Sequence, residues 1–207
     1  MLSYLIKQLV ERELRRNPKF YRSIVAEVYP QFSIDSLTGL YNDWYYRKAL
    51  EIELERSRRY DRDWSILTID LVDFKHYNDL YGRKIGNKIL RRVGKFLLDN
   101  IRKVDTACRI SGGADEFVVI IPEIGYSGAL SLIARLEEKF EEEKRRYKKV
   151  LRRFKRMFPR YEIGEEVYDD LDRLSMRMNI VVIDEKKRER GIRFIMDEVD
   201  RVLGIKN

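Results

Sequence analysis

Cysteine and histidine are nearly missing from this chain of 207 residues, which holds one of each, Cys108 and His76. A lone cysteine excludes an internal disulfide and any cysteine-rich zinc site, and a lone histidine excludes metal chemistry built on a histidine cluster. Cys108 sits in an apolar stretch, where a buried structural thiol is expected rather than a reactive one. No apolar run approaches the ~18 residues of a membrane span, and charges appear too early at the N-terminus for a signal peptide. A cytoplasmic protein is expected. Proline is scarce, and Pro18, Pro30 and Pro159 fall where helical patterns stop. No low-complexity linker or internal repeat is visible.

Charge, by contrast, is plentiful. Charged residues make up 38% of the chain and the formal net charge is +8, which favours an anionic partner: nucleotide, nucleic acid or acidic membrane surface. Apolar residues at 44% and aromatics at 12% argue against disorder and supply a core for one domain with additions.

Two short amphipathic runs open the chain, Leu2 to Leu14 and Phe20 to Val28. Too short to be stable alone, they must pack on the main domain, on a second copy or on a partner. A helical extension over residues 1–34 is therefore expected before a main domain over 35–207. In that domain Asp35-Ser-Leu-Thr-Gly-Leu-Tyr-Asn42 reads as a turn with an apolar anchor, followed by a helix to about Tyr60 capped by Asn42 or Asp43. Ser65–Asp70 reads as a buried strand ending in an acid. A helix runs through Ile89, Leu90, Val93, Phe96, Leu97 and Ile101, and strands are expected near 106–110 and 116–121.

From Ser127 to about Phe158 helical spacing holds for some thirty residues. Around Glu141–Arg146 the sequence is almost all charge, so the helix is expected to project there as a solvated arm or a coiled-coil segment. Residues 160–173 read as an acidic loop, Leu174–Ile183 as a last strand and Gly191–Leu203 as a last helix. The order β, α, β, β, α, β with a closing helix predicts an α+β, ferredoxin-like, palm-type antiparallel sheet. Right-handed crossovers would set the two long helices on one face and leave the acids to the other face or its edge.

Between the middle strands lies Arg109-Ile-Ser-Gly-Gly-Ala-Asp-Glu-Phe117. Its glycines permit a tight turn and a close approach to a ligand, and the acids beside them suit a hard cation with oxygen ligands. The same residues also describe a glycine-rich hairpin with solvated acids.

Three ordered motifs carry a resemblance: Asp35-x-Leu-Thr-Gly-Leu-x-Asn42, then Asp70-x-x-x-Phe74-Lys75-x-x-Asn78-Asp79-x-x-Gly82-x-x-x-Gly86, then Gly-Gly-Ala-Asp-Glu-Phe117. Together they resemble the GGDEF family of diguanylate cyclases, in motif detail over roughly 35–122 and by element order over 174–203. The resemblance implies condensation of two GTP into cyclic di-GMP by two facing domains, hence a homodimer at least during catalysis. It also implies Mg²⁺ or Mn²⁺ held by Asp70, Asp115 and the Leu71 carbonyl, with Glu116 as the second signature acid. Phe74, Lys75, Gly112 and Gly113 fall at phosphate positions, and Asn78 and Asn87 at guanine positions. Arg102-Lys-Val-Asp105 matches the RxxD product-inhibition motif, although a helix-end ion pair fits it equally.

The sequence departs from the family pattern at several places. Its hairpin is two residues longer, with Ala114 before the acid, and an alanine forced to φ > 0 is strained by ~1 kcal/mol or more. Val72 and Arg83 stand where the family has aspartate and histidine. Asn87 replaces a guanine-reading aspartate, and an amide both accepts and donates, so relaxed base choice is expected. The closing helix lacks the usual lysine segment; Arg201 and Lys206 are its nearest cations. Three readings follow: a diguanylate cyclase, a degenerate domain that binds GTP or cyclic di-GMP, and a palm-like nucleic-acid binder using the basic stretch Lys144–Arg156. A solvated basic helix is the commoner explanation of that stretch. Regulation would act through the N-terminal helices, the arm or a separate protein.

Overall fold

The computed structural model describes residues 33–110, 115–158, 164 and 166–205. The chain separates into two compact units, Met1–Ile34 and Asp35–Asn207, and the fold is that of the second. The expected N-terminal helices lie outside the described residues, as do Gly112, Gly113 and Ala114.

Ten elements follow in order: α1 (Asp43–Tyr60), β1 (Trp64–Leu71), α2 (Phe74–Tyr81), α3 (Arg83–Asn100), β2 (Thr106–Arg109), β3 (Glu116–Ile121), α4 (Tyr126–Met157), α5 (Glu166–Arg173), β4 (Met176–Ile183) and α6 (Glu185–Leu203). The ends have local causes. Asn42 Oδ1 accepts from the Tyr45 amide at 3.1 Å and starts α1, satisfying one of the free amides of a first helical turn. Asp184 does the same for α6, accepting from the Lys187 amide at 3.0 Å. Gly204 closes α6 at φ 77, a left-handed conformation that glycine adopts without cost.

The sheet order is β2-β3-β1-β4, and each neighbouring pair is antiparallel. β1 and β2 are thus parallel across β3, and β3 and β4 parallel across β1, the interlocked pair of crossovers expected from the element order. Central β1 is buried along its length except at Asp70, as a strand covered on both faces must be. Alternation sends Leu67, Ile69 and Leu71 into a core with α3 and α4, where Leu90, Val93, Leu97 and Leu136 meet them. Trp64 and Ile66 enter a second core with Leu50 and Leu54 of α1 and Ile195 and Val199 of α6. Cys108 lies in that second core as a buried free thiol.

The face opposite the crossover helices holds the acids at its end, as expected, and elsewhere α1 and α6 cover it, giving three layers. Several expectations are corrected. Residues 160–173 are not all loop, since Glu166–Arg173 forms α5. A helical segment precedes the expected last helix: α6 starts at Glu185, breaks at Gly191 with φ 82, and continues to Leu203 as the expected closing helix. Nor does the charged stretch of α4 project freely. Arg92 of α3 grips Glu143 with Nη2–Oε1 at 2.9 Å and Nε–Oε2 at 3.0 Å, and its guanidinium lies over the Tyr147 ring. Lys144 is buried, donating to the carbonyls of Asp172 at 3.2 Å and Leu174 at 3.1 Å. Charges that look solvated in sequence are here the seam between α3, α4 and α5.

Candidate active site

The site is assembled where β1 ends. Antiparallel register sets Asp70 opposite Glu116 on β3 and opposite Arg177 on β4. Side chains two apart share a face, so these three belong to the face covered by α1 and α6, in one row at the end of the sheet. Arg177 Nη1 lies 3.6 Å from Asp70 Oδ2, with the arginine side chain 65% exposed. Sequence reading missed Arg177, because only strand register brings it beside Asp70.

Burial pushes the Asp70 carboxyl above the usual carboxylate range, against the pull of Arg177. Asp115 is also raised, first by burial and then by the negative charge of Asp70; its own backbone amide and Arg109 oppose the rise. Two carboxylates close enough to repel each other are relieved by a shared cation. Carboxylate oxygens with a backbone carbonyl are the donor set of a hard divalent ion, so the residues fit the metal that the resemblance implies. Among the described residues no group of three or more His, Cys, Asp or Glu side chains converges on a metal-sized site. Leu71 is buried and offers only its backbone.

The turn before α1 positions the signature strand. Asp35 Oδ1 accepts from the Thr38 amide at 2.9 Å and the Thr38 hydroxyl at 2.6 Å, and Gly39 takes φ 75 to close the turn. Beyond it, Tyr41 bridges the outer edge of β2: its amide donates to the Ala107 carbonyl at 3.1 Å, and its carbonyl accepts from the Arg109 amide at 2.8 Å. The Arg109 side chain then reaches back to Asp35 Oδ1 at 3.2 Å. Motifs far apart in sequence are one structural unit.

Directly after β1 comes α2, Phe74–Tyr81. Phe74 is buried in the α3/α4 core, leaving its amide as the only group it offers, while Lys75 is exposed. Asp73 precedes them at φ 57 without a side-chain capping bond. The Asn78 side chain lies directly on Gly86 of α3: a Cβ there would sit 1.9 Å from Asn78 Oδ1. Gly86 therefore permits that approach, and exposed Asn87 follows it. The far side of α2 is held by α5, since the Tyr77 hydroxyl donates to the Asp170 carbonyl and the Tyr81 hydroxyl to its carboxylate. Both phenols are pushed up to about 12, Tyr77 mainly by burial and Tyr81 mainly by its bond to Asp170.

The RxxD pair closes on itself. Arg102 donates to Asp105 Oδ1 from Nε at 3.0 Å and Nη2 at 2.7 Å, and to the Pro122 carbonyl at 2.9 Å. A cavity of about 910 Å³ lies at the start of β1, away from the acids, lined by Asp61, Glu123 and Arg188 among others. Of its charges, Arg188 pairs with Asp61 at 2.6 Å, and Glu123 pairs with neighbouring Arg56 at 2.5 Å. No helix among the described residues is long and apolar enough to cross a membrane.

Comparison with known proteins agrees with this architecture. Diguanylate cyclase DgcS of Shewanella oneidensis is 42% identical over 95 residues, 46% of this chain and 31% of that protein. Response regulator PleD of Caulobacter vibrioides is 33% identical over 135 residues, 65% of this chain and 29% of that protein. The chain thus spans about a third of the length of these relatives. Among solved structures, the coiled coil and GGDEF domain of DgcB from Caulobacter crescentus, in complex with c-di-GMP, matches with a TM-score of 0.63 at 16% identity, over 95% of this chain and 91% of that one. Diguanylate cyclase SiaD of Pseudomonas aeruginosa, in complex with its activator SiaC, matches with a TM-score of 0.54 at 18% identity, over 97% of this chain and 73% of that one. At these identities the structural matches speak for the fold. The family profile described as diguanylate cyclase, GGDEF domain, matches residues 32–189, and with three quarters of its length inside that match the chain belongs to the GGDEF-domain family.

Proposed function

We propose that this domain is a nucleotidyltransferase that condenses two GTP into cyclic di-GMP. The observation that carries this reading is the pair of mutually repelling carboxylates, Asp70 and Asp115, at the ends of adjacent strands. Phosphoryl transfer asks a protein for positioning and charge neutralisation rather than covalent help. In each half-reaction a ribose 3′-oxygen bonds to the α-phosphorus of the other GTP. The bond to the bridging oxygen breaks, pyrophosphate leaves with the electron pair, and the hydroxyl proton passes to solvent. Two such steps between two loaded domains close the ring, so a homodimer forms at least during turnover.

Mg²⁺ or Mn²⁺ held by Asp70, Asp115 and the Leu71 carbonyl would neutralise the phosphate charge. Glu116 adds a carboxylate beside them in the row. The Phe74 amide, the Lys75 ammonium and the amides of Gly112 and Gly113 would hold the phosphates, and Asn78 with Asn87 the guanine edge. Asn87, an amide in place of an acid, would loosen the choice of guanine over adenine. Arg102 and Asp105 would take cyclic di-GMP only by opening their present pairing. The SiaD complex supports a separate activating protein as one route of control.

A second reading has its own support: Arg177 stands against Asp70 and offsets part of its charge without a metal. That suits a domain that binds GTP or cyclic di-GMP and signals without turnover. Incubation with GTP, ATP or both, with Mg²⁺ or Mn²⁺, and product identification by mass spectrometry separates the readings. Cyclic di-GMP that disappears in Asp115→Ala supports the cyclase; binding without product supports the second reading.

A further inference from the structure

Among the described residues, the cation that strand register places beside Asp70 is Arg177, and its geometry is that of a side chain held ready rather than used. Strand register fixes its backbone directly across from Asp70. Its guanidinium meets one carboxylate oxygen at 3.6 Å, beyond hydrogen-bond reach, and the side chain stays 65% exposed. A structural ion pair would be shorter, two-pronged and shielded, as Arg92–Glu143 is at 2.7 Å with side chains 39% and 26% exposed. The row otherwise carries negative charge from Glu116, Asp70 and, just before β3, Asp115, and would repel a triphosphate. Of the two cations near the end of α6, Arg201 lies on an exposed helical turn, whereas Arg177 is anchored in the sheet.

We propose that Arg177 is a phosphate-binding residue of this site: its guanidinium turns from Asp70 onto the phosphates of the bound nucleotide when that nucleotide enters. This rests on the reading of the site as nucleotide-binding. A planar guanidinium matches two phosphate oxygens at once, a better partner than one distant carboxylate oxygen. The exchange also frees Asp70 for the cation that accompanies the triphosphate. Arg177 therefore couples the two events, guarding the acid while the site is empty and binding anion once it is filled.

The test is calorimetric titration of the full chain with the α,β-methylene analogue of GTP, with guanosine, and with Mg²⁺ alone. Wild type, Arg177→Ala and Arg177→Lys are compared, and circular dichroism checks that each is folded. Losing a charged phosphate contact should weaken the analogue roughly ten- to hundredfold in Arg177→Ala, leave guanosine unchanged and give Arg177→Lys an intermediate value. Equal affinity of wild type and Arg177→Ala for the analogue would overturn the proposal. So would an alanine variant that gains only in Mg²⁺ affinity, since Arg177 would then merely screen Asp70. If the wild type fails to bind the analogue at all, the nucleotide reading itself falls and this proposal with it.

Discussion

Arg109 and Asp35, 74 positions apart, are joined through Nη1 and Oδ1 at 3.2 Å. The arginine that leads into the signature hairpin is thereby tied to the turn that opens the domain. Burial pushes the Asp35 carboxyl up, but hydrogen bonds from the Thr38 hydroxyl and amide, with the Arg109 charge, outweigh it and hold the group below its ordinary 3.8. The unfolded chain then binds more protons than the folded one, so this contribution is complete above the ordinary value and is lost as pH falls through the lower folded value. Asp35→Asn should cost about 1–2 kcal/mol at neutral pH. Urea unfolding at pH 7 and pH 3 checks it: the gap between wild type and variant should narrow at the lower pH.

Two glycines of α3 should respond differently to alanine. A Cβ at Gly94 would lie 2.7 Å from the Thr38 carbonyl oxygen, a backbone atom fixed by the Asp35 turn. Gly94→Ala should therefore destabilise by about 1–3 kcal/mol. A Cβ at Gly86 would meet the end of the Asn78 side chain, which can rotate away, and the edge of the Phe74 ring at 3.2 Å, which must give by a few tenths of an ångström. Gly86→Ala should leave stability within about 1 kcal/mol, helped by the better helix propensity of alanine, yet weaken GTP binding because Asn78 is displaced. Thermal unfolding and nucleotide titration together separate the pair.

Asp115 is held above its ordinary value, so the metal-free fold is strained by its charge at neutral pH. Here the folded state binds protons more readily than the unfolded one, and acidification towards the raised value relieves the cost. Asp115→Asn should raise the metal-free melting temperature by about 2 °C. It should also abolish the gain in melting temperature that Mg²⁺ or Mn²⁺ gives the wild type, and remove cyclic di-GMP synthesis. A thermal-shift series with and without metal reads the first two effects independently of turnover.

Lys144 joins α4 to α5, donating to two carbonyls and pairing with Glu141 at 2.5 Å. Lys144→Met keeps the apolar stem and strands both carbonyls, at about 1–3 kcal/mol. Faster hydrogen exchange across 166–174 is the expected local signature. Tyr77 and Tyr81 lean on α5, so GTP binding at α2 should weaken as well.

Local chemistry was legible in the sequence. The cap at Asn42, the buried run of β1 and the order of the long elements all follow from side-chain type and periodicity, which act within a few residues. From the same kind of pattern the acid at the end of β1 and the signature acids before β3 were found. What escaped was set by partners distant in the chain. Arg177 reaches Asp70 only through strand register. Lys144 and Arg92 look solvated until α5 and α4 dock on them, and α2 and α5 are too short to declare themselves by periodicity. The face that ends in the acids is covered because α1 and α6 both bury an apolar side there. Sequence alone determined the long elements and where acids stand along the chain; the tertiary structure decided the short helices and which charges face those acids, because Coulombic and packing partners are chosen by distance in space.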